Sequence, residues 1–190
     1  MIHFTELISS VPGITEEEKE LHLKLFKKEV VPRKTIITEK GKPERFLSFI
    51  EEGILRYYLL DEERMKEVTF AFSFAGRFSS AYDSFITQQP CRYSVETMKE
   101  TVLYRIDYDS VQVLYTETRI GNLIGRKSAE NLFLSKAERE LSLLTQTAEE
   151  RYLDLMHRRP EILEHIPLKY IASYIGVTPQ ALSRIRARIY

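Results

Sequence analysis

Side chains suited to reading DNA bases are concentrated near the end of this 190-residue chain. Gln180 is followed by Ser183 and Arg184 three and four residues later, and Arg184 by Arg188 four residues later, so the four share one helix face. Glutamine can bond the adenine N6 and N7 atoms and arginine the guanine O6 and N7 atoms, each pair discriminating by about 1–3 kcal/mol. The spacing therefore predicts a helix that reads bases.

The charge of the same segment favours a nucleic acid as its partner. Residues 165–190 contain four Lys and Arg and no Asp or Glu, although the chain as a whole balances 28 basic against 28 acidic residues. Phosphate backbones bind such local basic surfaces. An ordinary helical hairpin with a solvated basic face is the alternative. The predicted DNA-binding residues are Lys169, Thr178, Gln180, Ser183, Arg184, Arg186 and Arg188.

The base-reading helix needs a second helix to hold it, and the sequence predicts a helix-turn-helix. Gly176 suits a tight turn in which a left-handed backbone is cheap, Thr178 is a good N-cap, and Pro179 suits the first helical position. Apolar residues recur at helical spacing on the inner faces of both helices: Ile171, Ala172, Ile175, Leu182, Ile185 and Ile189. The combined pattern favours the helix-turn-helix over an ordinary hairpin.

The first half of the chain predicts a helix followed by a β-structure. Thr15 and Glu18 form a capping box within a helix predicted over residues 1–28. Short runs rich in β-branched and aromatic residues follow between turn signals, which is typical of a jelly roll or barrel. The predicted strands cover residues 35–38, 45–50, 54–60, 67–72, 93–97 and 101–106.

A long helix is predicted over residues 108–146, followed by a capping box at Thr147 and Glu150 that begins another helix. Apolar residues recur along the long helix in a heptad-like stripe. The stripe can pack on the chain's own barrel or on a second copy, and the length of the helix favours the second copy. The predicted dimer interface consists of Ile120, Ile124, Asn131, Leu134 and Leu141.

Composition excludes several classes of protein. The single cysteine, Cys91, rules out an internal disulfide framework and a four-cysteine metal site within one chain. The four histidines lie outside the predicted strands, so we expect no barrel metal site and no cupin-type enzyme. No apolar run reaches the length of a membrane span, and no secretory signal is evident. We therefore expect a cytoplasmic protein that is not an enzyme.

Taken together, the segments Gly76–Thr97 and Ile171–Arg186 make the chain resemble the Crp/Fnr (catabolite-activator) family of transcriptional regulators, in its Bacteroidetes-type version. The resemblance implies an α+β fold: an N-terminal cyclic-nucleotide-binding-type β-roll (jelly roll), a long dimerisation helix and a C-terminal, winged-type helix-turn-helix. The implied domains are an effector-sensing roll at 1–107, a dimerisation helix and hinge at 108–146, and a DNA-binding domain at 147–190.

The resemblance also implies roles for residues of the recognition helix. Gln180 and Arg184 match the family's base-reading positions, whereas Pro179 stands where the family has its first base-reading arginine. The target sequence should therefore differ from that of the catabolite activator. The implied partners are double-stranded DNA and a second copy of the chain, with RNA polymerase as a further candidate and no membrane.

The effector pocket implied by the resemblance departs from the nucleotide-binding pattern. Arg92 occupies the phosphate-binding position, but Tyr93 replaces a small hydroxyl residue and no Glu follows Gly76 to hold a ribose. We therefore expect that cyclic AMP is not the effector. Either a different small anion binds there, or Arg92 pairs with Asp83 or Glu96 and the pocket is vestigial. The candidate effector-binding residues are Arg77, Ser79, Ser80, Arg92 and Tyr93.

The sequence thus predicts a dimeric, sequence-specific DNA-binding regulator, which a small-molecule effector can gate through the 108–146 helix. No cofactor is identified beyond an unidentified small anionic effector. The alternative is a cupin-like effector-binding or scaffold dimer that does not bind DNA. The acid-free segment 165–190 favours the regulator.

Overall fold

The structure is a computed structural model that describes residues 3–61, 63 and 66–189. The chain divides into two compact units. The first comprises Met1–Arg56 and Phe72–Glu130, and the second comprises Tyr57–Ala71 and Asn131–Tyr190. The division differs from the predicted boundaries at residues 107 and 146, because the first part of the helical region packs on the β-structure. Tyr190 lies outside the described residues.

The β-structure consists of two four-stranded sheets. Its strands are β1 (Lys27–Val31), β2 (Ile36–Thr38), β3 (Phe46–Glu52), β4 (Ile54–Asp61), β5 (Lys66–Phe74), β6 (Arg77–Ser79), β7 (Ser94–Thr97) and β8 (Thr101–Asp107). One sheet has the order β1-β8-β3-β6 and the other the order β2-β7-β4-β5. The C-terminal part of β4 and the N-terminal part of β5, which follow one another in the sequence, belong to the second unit. The predicted roll is confirmed.

The first unit also contains helices α1 (Phe4–Ser9), α2 (Glu16–Leu25), α3 (Tyr82–Thr87) and α4 (Tyr108–Glu117), together with the start of α5 (Arg119–Thr145). Its core is rich in aromatic rings. Phe4 is fully buried, and its ring centroid lies 4.6 Å from that of Phe26 and 5.5 Å from that of Phe49. Helix α4 contributes Val111 and Leu114 to this core. The helix therefore belongs with the roll.

The capping box of α2 is present as predicted, but the helix predicted over residues 1–28 is wrong at both ends. Glu18 N donates to Thr15 Oγ1 at 3.2 Å, and Thr15 N donates to a Glu18 carboxylate oxygen at 3.1 Å. Helix α1 is separate from α2, and residues 27–31 form strand β1. The charged start of β1 hides the usual strand pattern, because the strand lies at a sheet edge. Strand β6 and helix α3 were not predicted.

The second unit is mainly helical. It contains most of α5, then α6 (Ala148–Arg158), α7 (Glu161–His165), α8 (Leu168–Ile175) and α9 (Pro179–Ile189). The capping box of α6 is present as predicted, with Glu150 N donating to Thr147 Oγ1 at 3.2 Å. The hydrogen bond from the backbone N–H of Thr147 lowers the pKa of the Glu150 carboxyl most, and the hydrogen bond from the Thr147 hydroxyl lowers it further. None of the helices in the described ranges is long and apolar enough to cross a membrane.

The predicted continuous helix over 108–146 is interrupted. Thr118 has an extended backbone (φ −127°, ψ 138°) between α4 and α5, and its hydroxyl donates to the Leu114 carbonyl at 2.6 Å. Ile120, just after the break, is 1% exposed. Its assignment to a dimer interface is therefore wrong, because its own unit already covers the side chain. Ile124 is half-buried and packs against the core of the first unit.

Candidate nucleic-acid interface

Helices α8 and α9 form the predicted helix-turn-helix. Gly176 has φ +81°, and Val177 N donates to the Ala172 carbonyl at 2.9 Å, which is the hydrogen bond of a Schellman motif. Ala181 N donates to Thr178 Oγ1 at 3.2 Å, so Thr178 caps α9 as predicted. The inner faces of both helices are buried at Ile171, Ala172, Ile175, Leu182 and Ile185. Because the inner face of α9 is buried, the outer face is the one that remains available to a partner.

The outer face of α9 presents the predicted base-reading side chains. Gln180, Ser183 and Arg184 are all exposed. The Ser183 hydroxyl donates to the Pro179 carbonyl at 3.0 Å and keeps its lone pairs for an outside donor. Arg184 makes no hydrogen bond or ion pair with any residue that the structure describes. These side chains are therefore available to a partner.

The other predicted DNA-binding residues differ in their exposure and in their bonding partners. Lys169 is exposed, and its Nζ lies 4.7 Å from the centroid of the Tyr170 ring. Arg186 is half-buried rather than exposed. Arg188 donates from Nη2 to an oxygen of Glu149 in α6 at 2.5 Å. A phosphate contact by Arg188 would therefore have to replace this ion pair.

Two arginines from outside the helix-turn-helix bond the end of α8. Arg139 of α5 donates to the Tyr174 carbonyl, and its guanidinium lies 4.0 Å from the centroid of the Tyr174 ring. Arg151 of α6 donates from Nε to the Ile175 carbonyl at 2.9 Å. Burial lowers the pKa of Arg139, an effect that Tyr174 opposes and Arg151 reinforces. Cations at a helix C-terminus are favourable, so both arginines hold α8 in place.

The strand hairpin of the second unit also contacts α8. Thr69 N on β5 donates to Ser173 Oγ at 2.9 Å. Neither this contact nor the two arginine contacts was predicted. The partners are 104, 35 and 24 residues apart in sequence, which is too far for helical or strand periodicity to indicate them.

The candidate effector-binding residues of the first unit bond mainly to neighbouring protein groups. Arg92 Nη2 lies 3.8 Å from one Asp83 carboxylate oxygen, and the Tyr93 hydroxyl donates to the other at 2.5 Å. The Ser80 hydroxyl donates to the Phe46 carbonyl at 2.9 Å, and Ser79 is 6% exposed. Arg77 is exposed at the start of β6.

Residues 28–118 match the family model of the cyclic nucleotide-binding domain. This stretch is similar to that domain family. A search of the curated protein sequences finds no match. The predicted resemblance to the Crp/Fnr family is confirmed for this domain and for the fold, whereas the Bacteroidetes-type detail and the winged-type detail stay predictions.

Solved structures share the fold of the chain. A CooA mutant from Carboxydothermus hydrogenoformans has a TM-score of 0.71 and 18% identity, over 97% of this chain and 82% of its own. A protein from Eubacterium rectale, described as a transcriptional regulator of the Crp/Fnr family, has a TM-score of 0.70 and 18% identity, over 93% and 83%. The catabolite activator protein of Thermus thermophilus has a TM-score of 0.56 and 21% identity, over 94% and 84%.

In the stretch that matches this domain model, the residues that the resemblance assigns to the effector pocket have contacts that oppose binding of a cyclic nucleotide. The Asp83 carboxylate lies against Arg92 and Tyr93, so a phosphate bound there would face a negative charge. Arg77 follows Gly76 where a ribose-binding Glu would be needed. Glu96 does not serve Arg92 instead, because it bonds Arg56 at 2.6 Å. Of the two interpretations that the sequence leaves open, these contacts favour the pairing of Arg92 with Asp83.

Proposed function

We propose that this chain is a dimeric, sequence-specific DNA-binding regulator of transcription and that cyclic AMP is not its effector. The exposed outer face of α9 carries the proposal. Its Gln180 and Arg184 side chains are the types that pair with adenine and guanine edges. The buried inner face and the arginines at the end of α8 hold α9 in one orientation.

An exposed apolar face of α5 supports the dimer. Phe133, Leu134, Leu141 and Leu144 are 71%, 63%, 60% and 76% exposed. At about 100° per residue they fall within an arc of about 100° on the helix. Exposed apolar surface of this kind marks an interaction site, and heptad-like spacing suits a second copy of the same helix. Asn131 is exposed beside this face. Two copies would place two α9 helices in successive major grooves, about 34 Å apart.

Binding to DNA is tested first by selecting duplexes from a random library with the full chain and measuring affinity at about 50 and about 200 mM salt. We expect one enriched near-palindromic sequence and affinity that falls steeply with salt. Replacing Arg184 by alanine should weaken binding to the selected duplex by about 10-fold to 100-fold, because a bidentate base contact is lost.

Arg126→Ala is the matched control, since it removes the same charge from an exposed site on α5. It should leave specific affinity within about twofold. Base reading by α9 would be contradicted if Arg184→Ala and Arg126→Ala lost the same amount of affinity. It would also be contradicted if no duplex were enriched and binding did not depend on salt. Either result would favour the scaffold dimer. Contact with RNA polymerase stays a prediction.

The dimer is tested by replacing Leu134 and Leu141 together by glutamate. We expect sedimentation as a monomer, because charged side chains would be buried in the helix pair. Leu143→Glu is the control, since Leu143 is 48% exposed but lies on the opposite side of the helix. A double variant that remains dimeric, or a control that dissociates equally, would show that this face does not form the dimer.

A further inference from the structure

A cleft in the first unit is lined by more positive than negative side chains. Its volume is about 460 Å³, and it lies between the end of α2, strands β1 and β8, and the start of α4. Four cations line it, among them Lys24, Lys27 and Arg105, against the carboxylates of Glu29 and Asp107. The cleft therefore has a surplus of two positive charges in a chain whose net charge is zero.

The pairing of β1 with β8 brings two of these cations together. Lys27 lies directly opposite Arg105 in the antiparallel register. Like charges in this position destabilise a sheet unless something neutralises them. Glu29 does so in part, because its carboxylate accepts from Arg105 Nη1 at 2.9 Å. One carboxylate cannot neutralise two cations.

Arg105 is held in place more firmly than an ordinary surface arginine. Its side chain is 13% exposed, and its guanidinium lies 4.2 Å from the centroid of the Phe46 ring. Its Nε is buried and has no acceptor among the residues that the structure describes. A buried N–H without an acceptor costs about 1–3 kcal/mol, so a shift of the guanidinium that gives Nε an acceptor would be favourable.

The remaining groups of the cleft compensate this positive charge only in part. The Asp107 carboxylate accepts from Ser110 N at 2.8 Å and caps α4. Lys24 makes no ion pair within the described part of the chain, and Lys27 Nζ donates only to the neutral Lys24 carbonyl, at 2.8 Å. The fourth cation, Lys28, is directed to Glu51, with Nζ 3.4 Å from its carboxylate.

We propose that this cleft binds a small ligand through a dianionic group of the phosphate type. Lys24 and Lys27 supply two ammonium groups on exposed side chains, and Arg105 supplies a guanidinium that is held in place. Leu25 and Phe46 provide apolar walls for the rest of the ligand. The site is different from the stretch that includes Arg92, and it stands whether or not α9 binds DNA.

The test follows the Nε–H resonances of the arginines by ¹H–¹⁵N NMR while inorganic phosphate is added at constant ionic strength. Loss of one resonance in Arg105→Lys identifies the signal of Arg105. We expect this signal to shift and saturate with phosphate but not with chloride. Replacing Lys24 and Lys27 together by glutamine should weaken the apparent affinity at least about fivefold, because two exposed cations leave the site.

Arg92→Gln is the control, and it should leave the titration unchanged. A shift that stays linear, or that chloride reproduces, would indicate an adventitious ion only and would overturn the proposal. A titration that is lost in Arg92→Gln but kept in the double lysine variant would overturn it too, in favour of the Arg92 stretch. None of these readouts involves DNA, so failure here is distinguishable from failure of the proposed function.

Discussion

Replacing Glu96 by alanine is expected to lower the free energy of unfolding of the first unit by about 3–5 kcal/mol. Arg56 on β4 is 0% exposed, and its Nη1 donates to Glu96 Oε1 on the neighbouring strand β7 at 2.6 Å. Removing the carboxylate takes this close ion-pair partner away from a fully buried guanidinium. Urea unfolding with an unchanged m-value measures the loss.

Glu130→Ala is the matched control for this variant. Glu130 also pairs with an arginine, Arg126, but the side chains are 57% and 67% exposed and the atoms 3.8 Å apart. Exposed pairs contribute about 0–1 kcal/mol, so the control should unfold almost as the parent protein does. Glu96→Gln, which keeps an acceptor for Arg56, should fall between the two. Equal stability of Glu96→Ala and Glu130→Ala would refute the structural role of the buried pair.

Replacing Gly121 by alanine is expected to destabilise the first unit by about 2–3 kcal/mol. An added Cβ would overlap the carbonyl oxygen of Leu114 and lie 2.6 Å from Thr118 Oγ1. The carbonyl belongs to the backbone of α4, which cannot move without disturbing Leu114 in the core. In an open helix the same change would stabilise by about 1 kcal/mol, so even its sign is informative.

Gly125→Ala provides the comparison on the same helix. There the three atoms nearest to the added Cβ all belong to the Tyr115 side chain, the closest at 2.6 Å, and a side chain can shift more easily than a backbone carbonyl. We expect a smaller loss from this variant, measured by the same thermal or urea unfolding. A Gly121→Ala protein that is as stable as the parent would show that α4 and α5 do not pack as closely as described.

The burial of residues along α5 shows how much of this helix its sequence pattern could predict. The heptad-like stripe predicted a helix with an apolar face, and that helix is present. The stripe could not tell which part of the face its own chain covers. Ile120 is buried at the roll, whereas Leu134 and Leu141 are exposed. Phe133, the second most exposed residue of this face, lies outside the stripe and was not predicted.

The features of the helix-turn-helix that the sequence determined are local. The turn at Gly176, the cap at Thr178 and the alternation of buried and exposed residues each depend on neighbours within a few positions, so residue types alone indicate them. For the same reason the helical spacing correctly predicts the outer face of α9, including Gln180 and Arg184.

The tertiary structure alone decided which charged groups are available. Asp83 lies beside Arg92, Glu149 bonds Arg188, and Glu96 bonds the buried Arg56. Arg105 lies in the cleft because β8 pairs with β1, a strand that the sequence pattern did not predict. Except for the pair of Arg92 and Asp83, each of these contacts joins residues 39 to 76 positions apart. The periodicity of a helix or strand ends long before that distance, so only the folded chain determines such partners.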